Sequence, residues 1–279
     1  MIKNLKKKII AEIGVNHGGS INKAIKLVKA AKKSGADVVK FQYFNTSKLV
    51  SKSAKKAPYQ ARFKSDKEKQ HHLLKPLELS LKDFLELKNF CKYIKIGFML
   101  SIFDDSGIEV IKKLKVNTVK IPSGEINNYP LLRKIAKLNK KIIISTGMSN
   151  FIEIKNTLNI FKKYGTKKKN ITILQCNSSY PSPLEDANLN IISEYKKKFK
   201  INVGYSDHTT GIESSMAAVA LGAKIIEKHF TLNKHHKGPD HSSSFNPSEF
   251  KKMVVSIRKI ESCLGIKEKK TTNSEKENF

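Results

Sequence analysis

The stretch 203–244, VGYSDHTTGIESSMAAVALGAKIIEKHFTLNKHHKGPDHSSS, decides the fold. Two short apolar runs, Ile201–Tyr205 and Ala223–Ile226, each flow into polar residues: Ser206-Asp207-His208 after the first, Glu227-Lys228-His229 after the second. Between them, Gly211–Gly222 is rich in Ala and Ser and spaces Ile212, Met216, Val219 and Ala220 as a helix does. The segment therefore reads strand, helix, strand. A crossover of that length makes the two strands parallel, so both histidines emerge at the same end of the sheet. A lone histidine at a strand end is most often a satisfied polar residue. Two in the same phase of consecutive units, with Asp240 in the loop after the second, form half of a candidate metal site.

Working outward, the same unit repeats. Strands are expected at Lys8–Ile13, Asp37–Gln42, Gly97–Ile102, Thr118–Pro122, Lys141–Ser145, Ile171–Cys176, Ile201–Tyr205 and Ala223–Phe230. Helical spacing fills Ile21–Lys33, Leu81–Ile94, Asp105–Leu114, Tyr129–Leu138, Phe151–Tyr164, Leu189–Phe199 and Gly211–Leu221. A last helix follows at Pro247–Leu264, with Asn246 as its N-cap and Pro247 at its first position. The strands are short and nearly continuous in Val, Ile and Phe, as a sheet buried on both faces requires. Eight alternations predict an α/β protein built as a (β/α)8 TIM barrel. The competing doubly wound sheet lacks a G-x-G-x-x-G turn after any early strand. The barrel is expected to occupy 1–266, with 267–279 a charged, flexible tail.

A chain of 279 residues can bury one full core of this kind. No apolar run approaches the roughly 18 residues of a membrane span, and the basic start MIKNLKKKIIAEIG is broken by Glu12, so neither a membrane nor a signal peptide is expected. Cys91, Cys176 and Cys263 lie far apart, which suits a reducing compartment, with cytoplasm the default. The net charge of +30 raises nucleic acid as a partner. Yet the only arginines are Arg62, Arg133 and Arg258, and no aromatic-interleaved basic tract or recognition-helix motif accompanies the lysines. The lysines read as solvated helix faces, whose field would still draw in a small anion.

A barrel builds its active site at the carboxyl ends of its strands. The polar residues fall there: Glu12 and Asn16-His17-Gly18-Gly19; Lys40 and Gln42; Ser101 with Asp104; Lys120 and Ser123-Gly124-Glu125; Ser145-Thr146-Gly147; Asn177-Ser178-Ser179-Tyr180; Ser206-Asp207-His208; and His229. Some could be caps and turns, such as Ser149 or Asn150 and Asp104 or Asp105. Lys40 and Lys120 resist that reading, because a lysine ending a buried strand is costly unless an anion or carboxylate meets it. The ring suits an anionic, oxygen-rich substrate beside a metal.

In this order AEIGVNHGG, GADVVKFQ, KIPSGEINNYPLL, IISTGMS, SSYPSP, GYSDHTTGIE, ALGAKIIEKHFT and GPDH resemble the sialic acid synthase family across essentially the whole chain. That family condenses phosphoenolpyruvate with an N-acetylated six-carbon sugar. The resemblance implies a divalent metal, Mn2+ or Mg2+, on His208 and His229. It implies phosphoenolpyruvate held by Lys40, Lys120, Ser123, Ser145, Ser178 and Ser206, with Asn177 in the same substrate-binding group. Glu12, Gln42, Tyr180 and Asp240 would face the sugar, and Glu125 would lie near the reacting carbons. The catalytic group is thus Glu12, Glu125, Lys40 and Lys120, in a homodimer. The stretch FQYFNTSKLVSKSAKKAPYQ is similar to the legionaminic acid subgroup, which uses a 2,4-diacetamido-trideoxy sugar, with the N-acetylmannosamine subgroup close.

Two departures stand out. Ser101-Ile102-Phe103-Asp104 replaces the usual Ser-Thr-Pro-Phe, so a threonine hydroxyl expected near the phosphate is missing. The family also usually continues into an antifreeze-like domain that lends an arginine to the partner's sugar site; without it, phosphoenolpyruvate and metal binding are expected with poor sugar use, Arg62 being the first substitute to test. The long connection Tyr43–Ser80 is a candidate lid. Two other functions remain open: a metal or Schiff-base barrel lyase or aldolase using Lys40 or Lys120, and a silent barrel acting as a basic binding module.

Overall fold

A computed structural model describes residues 6–56, 69–265 and 268–278; Pro58 and Arg62 of the expected lid lie outside the described residues. Eight strands form a closed barrel in sequence order: β1 Lys8–Gly14, β2 Val38–Tyr43, β3 Gly97–Ile102, β4 Thr118–Ile121, β5 Lys141–Ser145, β6 Ile171–Cys176, β7 Asn202–Asp207 and β8 Ile225–His229. Every neighbouring pair is parallel, β1 with β8 included. The expected strands are all present, with two boundaries moved by two residues and several by one. β7 runs on to Asp207 because its ladder with β8 continues through Ser206↔Glu227 and Asp207↔Lys228. β8 starts at Ile225 rather than Ala223, whose amide still donates to Ala218 O and closes the preceding helix.

Helices start where a short polar side chain can accept the free amides of a first turn. Ser20, Ser80, Asp104, Asn128, Asn150 and Asn246 all do this. Asn150 rather than Ser149 caps Phe151–Lys163, and its partner Glu153 reaches back to the Asn150 amide. Asn246 and Glu249 repeat the box ahead of Pro247–Cys263.

The period of two along a strand divides the barrel into two cores. Outward residues such as Ile9, Ala11, Val39, Phe41, Leu100, Val119, Ile144, Ile173 and Val203 pack against the helices. Inward, Ile10, Val38, Met99, Ile143, Leu174 and Ile225 form a separate apolar plug. The residues two further along those same six strands are Glu12, Lys40, Ser101, Ser145, Cys176 and Glu227. The barrel is therefore apolar at its base and charged one layer higher. The connection after β2 carries short helices at Thr46–Leu49 and Gln70–Leu74, and Val15, Phe44 and Leu74 pack there with Phe103 beneath them. The Ile21–Lys33 helix buries Ala24, Leu27, Val28 and Ala31 and exposes its lysines, the amphipathic arrangement that the spacing predicts. Among the described residues no helix is long and apolar enough to cross a membrane.

Candidate active site at the carboxyl ends of the strands

Two rungs of inward-facing residues line a cavity of about 430 Å³. The lower rung holds Glu12, Lys40, Ser101, Lys120, Ser145, Cys176, Ser206 and Glu227; the upper adds Gln42, Phe103, Ser178, His208 and His229, with Tyr180 above. Lys40 Nζ lies 2.7 Å from Glu12 Oε2 and 3.6 Å from Glu227 Oε1, and donates to Ser101 Oγ at 2.9 Å. Lys120 Nζ donates to Glu227 Oε1 at 2.9 Å, which also accepts from Ser206 Oγ at 3.1 Å. Gln42 Nε2 donates to Glu12 Oε1 at 3.0 Å. Two lysines and two carboxylates are thus buried as one balanced cluster.

Burial acts on each of these groups, and neighbouring charges decide the outcome. Burial would lower Lys40, but Glu12 and Glu227 together raise it, so it stays an ammonium. A Schiff-base nucleophile needs the opposite shift. For Lys120 burial prevails over Glu227 and the shift is downward. Burial would raise Glu227, but Lys120 and Lys40 hold it at about 2. Glu12 is raised, because burial exceeds the pull of Lys40. Asp240 is pushed to about 7 by burial and by the charge of Glu12.

Close backbone approaches shape the rim. A bulge in β1 shifts the register between Glu12 and Gly14, and Gly14 has φ +55°. A Cβ there would sit 3.2 Å from Asp240 Oδ2 and 3.3 Å from Glu12 Oε1, so the glycine lets those carboxylates converge. Gly147 donates its amide to Ser123 Oγ at 3.0 Å, and a Cβ would come within 2.2 Å of Ser178 Oγ.

The expected site residues mostly converge. Glu12, Lys40, Gln42, Lys120, Ser123, Ser145, Ser178, Tyr180, Ser206, His208 and His229 all line the cavity. Asp240 stands behind His229, with Oδ2 3.7 Å from Nδ1. Glu125 does not line it; half-buried on the turn after β4, it accepts from Asn128 Nδ2 at 2.7 Å. Asn177 faces a neighbouring cavity, its side chain accepting from the Ser179 amide at 2.7 Å. Its carbonyl lies 2.5 Å from His208 Nδ1. That neighbouring cavity, about 820 Å³ between β5, β6 and their helices, is larger than the barrel mouth and shares Cys176 and Ser178 with it, but neither the lysines nor the imidazoles line it. Glu227 went unmarked by sequence reasoning, although it shares the inward face with His229 two residues on.

The imidazoles suit a cation. A carbonyl only accepts, so His208 Nδ1 carries a proton, and Nε2 is the ring nitrogen that could offer a lone pair to a cation. His229 Nδ1 is buried without a hydrogen-bond partner, and the ring centres lie 5.5 Å apart. Tyr180 packs over His208 at 4.2 Å. Among the described residues no group of three His, Cys, Asp or Glu side chains forms a ready ligand set. Ser145 Oγ, also buried and unpartnered, is a hydroxyl available to a ligand.

The NeuB family model matches residues 27–269. The N,N'-diacetyllegionaminic acid synthase of Campylobacter jejuni is 49% identical over 274 residues, 98% of this chain and 82% of that protein. The N-acetylneuraminate-9-phosphate synthase of mouse is 42% identical over 92% of this chain and 71% of its own. The N-acetylneuraminic acid synthetase of Leptospira borgpetersenii, solved with citrate, superposes with a TM-score of 0.87 at 36% identity, covering 99% of this chain and 90% of that one. The family match and these identities cover most of the barrel, and the chain belongs to the NeuB family of synthases.

Proposed function

We propose that the chain condenses phosphoenolpyruvate with an open-chain N-acetylated hexosamine, forming a nine-carbon sugar acid and releasing phosphate. The observation that carries this is the stacking of the two rungs: buried ammoniums and hydroxyls lie directly beneath an imidazole pair. Lys40 and Lys120, with Ser123, Ser145, Ser178 and Ser206, bind the carboxylate and phosphate of phosphoenolpyruvate. The sugar lies above, against Tyr180 and within reach of Gln42, Glu12 and Asp240. The strength of the likeness to the Campylobacter jejuni relative favours a 2,4-diacetamido-2,4,6-trideoxymannose acceptor over N-acetylmannosamine.

His208 and His229 would hold a divalent ion, Mn2+ or Mg2+, which supplies Lewis-acid polarisation of the sugar aldehyde. Carbon 3 of phosphoenolpyruvate adds to that aldehyde, and water adds at carbon 2 of the resulting cation. The tetrahedral product then expels phosphate by carbon–oxygen cleavage. Lys40 and Lys120 offset the charge of the departing phosphate from below. Glu12 and Asp240, both shifted toward the protonated form by burial, hold or move a proton at the sugar oxygens. Glu125, outside the cavity, acts at the rim. This reading extends to a cytoplasmic homodimer.

Incubation with phosphoenolpyruvate, Mn2+ and a panel of N-acetylated hexosamines in 18O-labelled water tests the proposal. Phosphate release should require a sugar, and the label should enter the sugar acid. Sugar-independent release, or label in phosphate, would overturn it.

A further inference from the structure

Asp207 and Lys228 each precede one of the two imidazoles, yet neither lines the cavity. Strand alternation turns them outward, into the layer where other strands present Phe41, Ile102 and Ile121. They face each other across the β7–β8 ladder, and both side chains are fully buried. Lys228 Nζ lies 3.1 Å from Asp207 Oδ2 and donates to Thr209 O at 2.5 Å and Gly211 O at 3.4 Å, with the Phe245 ring centre 4.3 Å away. Asp207 Oδ1 accepts from the Thr209 amide and hydroxyl, both at 2.8 Å. Its Oδ2 accepts from Ser214 Oγ at 2.9 Å and Ser215 Oγ at 2.6 Å.

These contacts have one geometric result. They clamp the turn that carries His208 onto the strand that carries His229. An ion pair is a poor way to stabilise this layer, since a well-packed apolar pair commonly serves as well or better. What it adds is direction: both Asp207 oxygens accept from the segment 209–215, and Lys228 donates to two of its carbonyls while its ammonium also meets the Asp207 carboxylate.

We propose that Asp207 and Lys228 are positioning residues that set the separation and orientation of the two imidazoles through the backbone. This rests on the reading that His208 and His229 hold a divalent ion. Such residues touch neither substrate nor metal. Their effect is expected on metal affinity and turnover, with little on phosphoenolpyruvate binding, whose lysines stand on β2 and β4.

The decisive variant is Asp207→Leu with Lys228→Met, which removes both charges together, so that neither is left buried without its counter-charge. In the full chain, Mn2+ binding is read without substrates from the electron paramagnetic resonance of the free ion, and folding from the thermal midpoint. The expected result is a cooperative melt near the wild-type midpoint, Mn2+ affinity weaker by roughly 10–100-fold, lower kcat, and a KM for phosphoenolpyruvate close to wild type. A folded double variant that binds Mn2+ as the wild type does would overturn the proposal. Should the double variant not fold, Ser215→Ala and Lys228→Arg decide by the same titration: weakened Mn2+ binding in folded protein supports positioning, and unchanged binding in both refutes it. A wild-type chain that takes up no divalent ion overturns the metal reading, and this inference with it.

Discussion

Replacing Glu227 by Gln tests the charge balance of the barrel interior. Lys40 would keep Glu12 at 2.7 Å, but Lys120 would lose the carboxylate 2.9 Å away, its one ion-pair partner among the described residues. Breaking a buried ion pair from one side costs about 3–5 kcal/mol. A second route gives a similar ceiling. Lys120 could shed its proton instead, which for a lysine of ordinary pKa 10.5 costs about 5 kcal/mol at pH 7. The ligand-free variant should therefore melt roughly 6–20 °C lower. Phosphoenolpyruvate restores a negative charge beside Lys120, so ligand should stabilise the variant more than the wild type. Thermal melts with and without saturating phosphoenolpyruvate measure both effects. An unchanged ligand-free midpoint, or a ligand-induced rise no larger than in the wild type, would refute the argument.

Gly147→Ala puts a Cβ within 2.2 Å of Ser178 Oγ, so the affinity for phosphoenolpyruvate should fall by about tenfold or more while the fold survives; calorimetric titration checks it. His17 is buried and held neutral to about pH 4, mainly by desolvation. Its folded value lies below the ordinary 6.5, so stability should fall as pH drops from 6.5 toward 4, and His17→Asn should flatten that slope in denaturant titrations. Asp37 accepts from the Ile9 amide at 2.9 Å and from Arg258 at 2.8 Å, joining the start of β1 to the last long helix. Its carboxyl is lowered because those bonds, with Lys6, outweigh burial. Asp37→Asn should cost roughly 1–2 kcal/mol at pH 7, discounted for its exposure, and the difference from wild type should vanish as pH falls below 3.8 through the lowered folded value.

Legibility followed the range of the interactions. Lys40 and Lys120 could be singled out one residue at a time, because an ammonium at the end of an apolar strand demands an unseen partner wherever it lies. The partner itself was not legible. Glu227 sat in the quoted stretch and was passed over for His229, although alternation puts both on one face. Glu125 shows the limit of proximity: it follows a cavity serine by two residues, but the turn after β4 pairs it with Asn128 outside the cavity lining. Asn177 faces away for a similar reason, since its side chain caps the Ser179 amide.

By itself the sequence determined the eight-fold repeat, the capped helices and the polar ring at the strand ends, because periodicity and capping are properties of a few neighbouring residues. Only the tertiary structure decided which charges meet. Glu227 lies 107 residues from Lys120, and they come within 2.9 Å because β8 pairs with β1 and closes the barrel. Distances across an interior depend on that closure, which no local pattern contains.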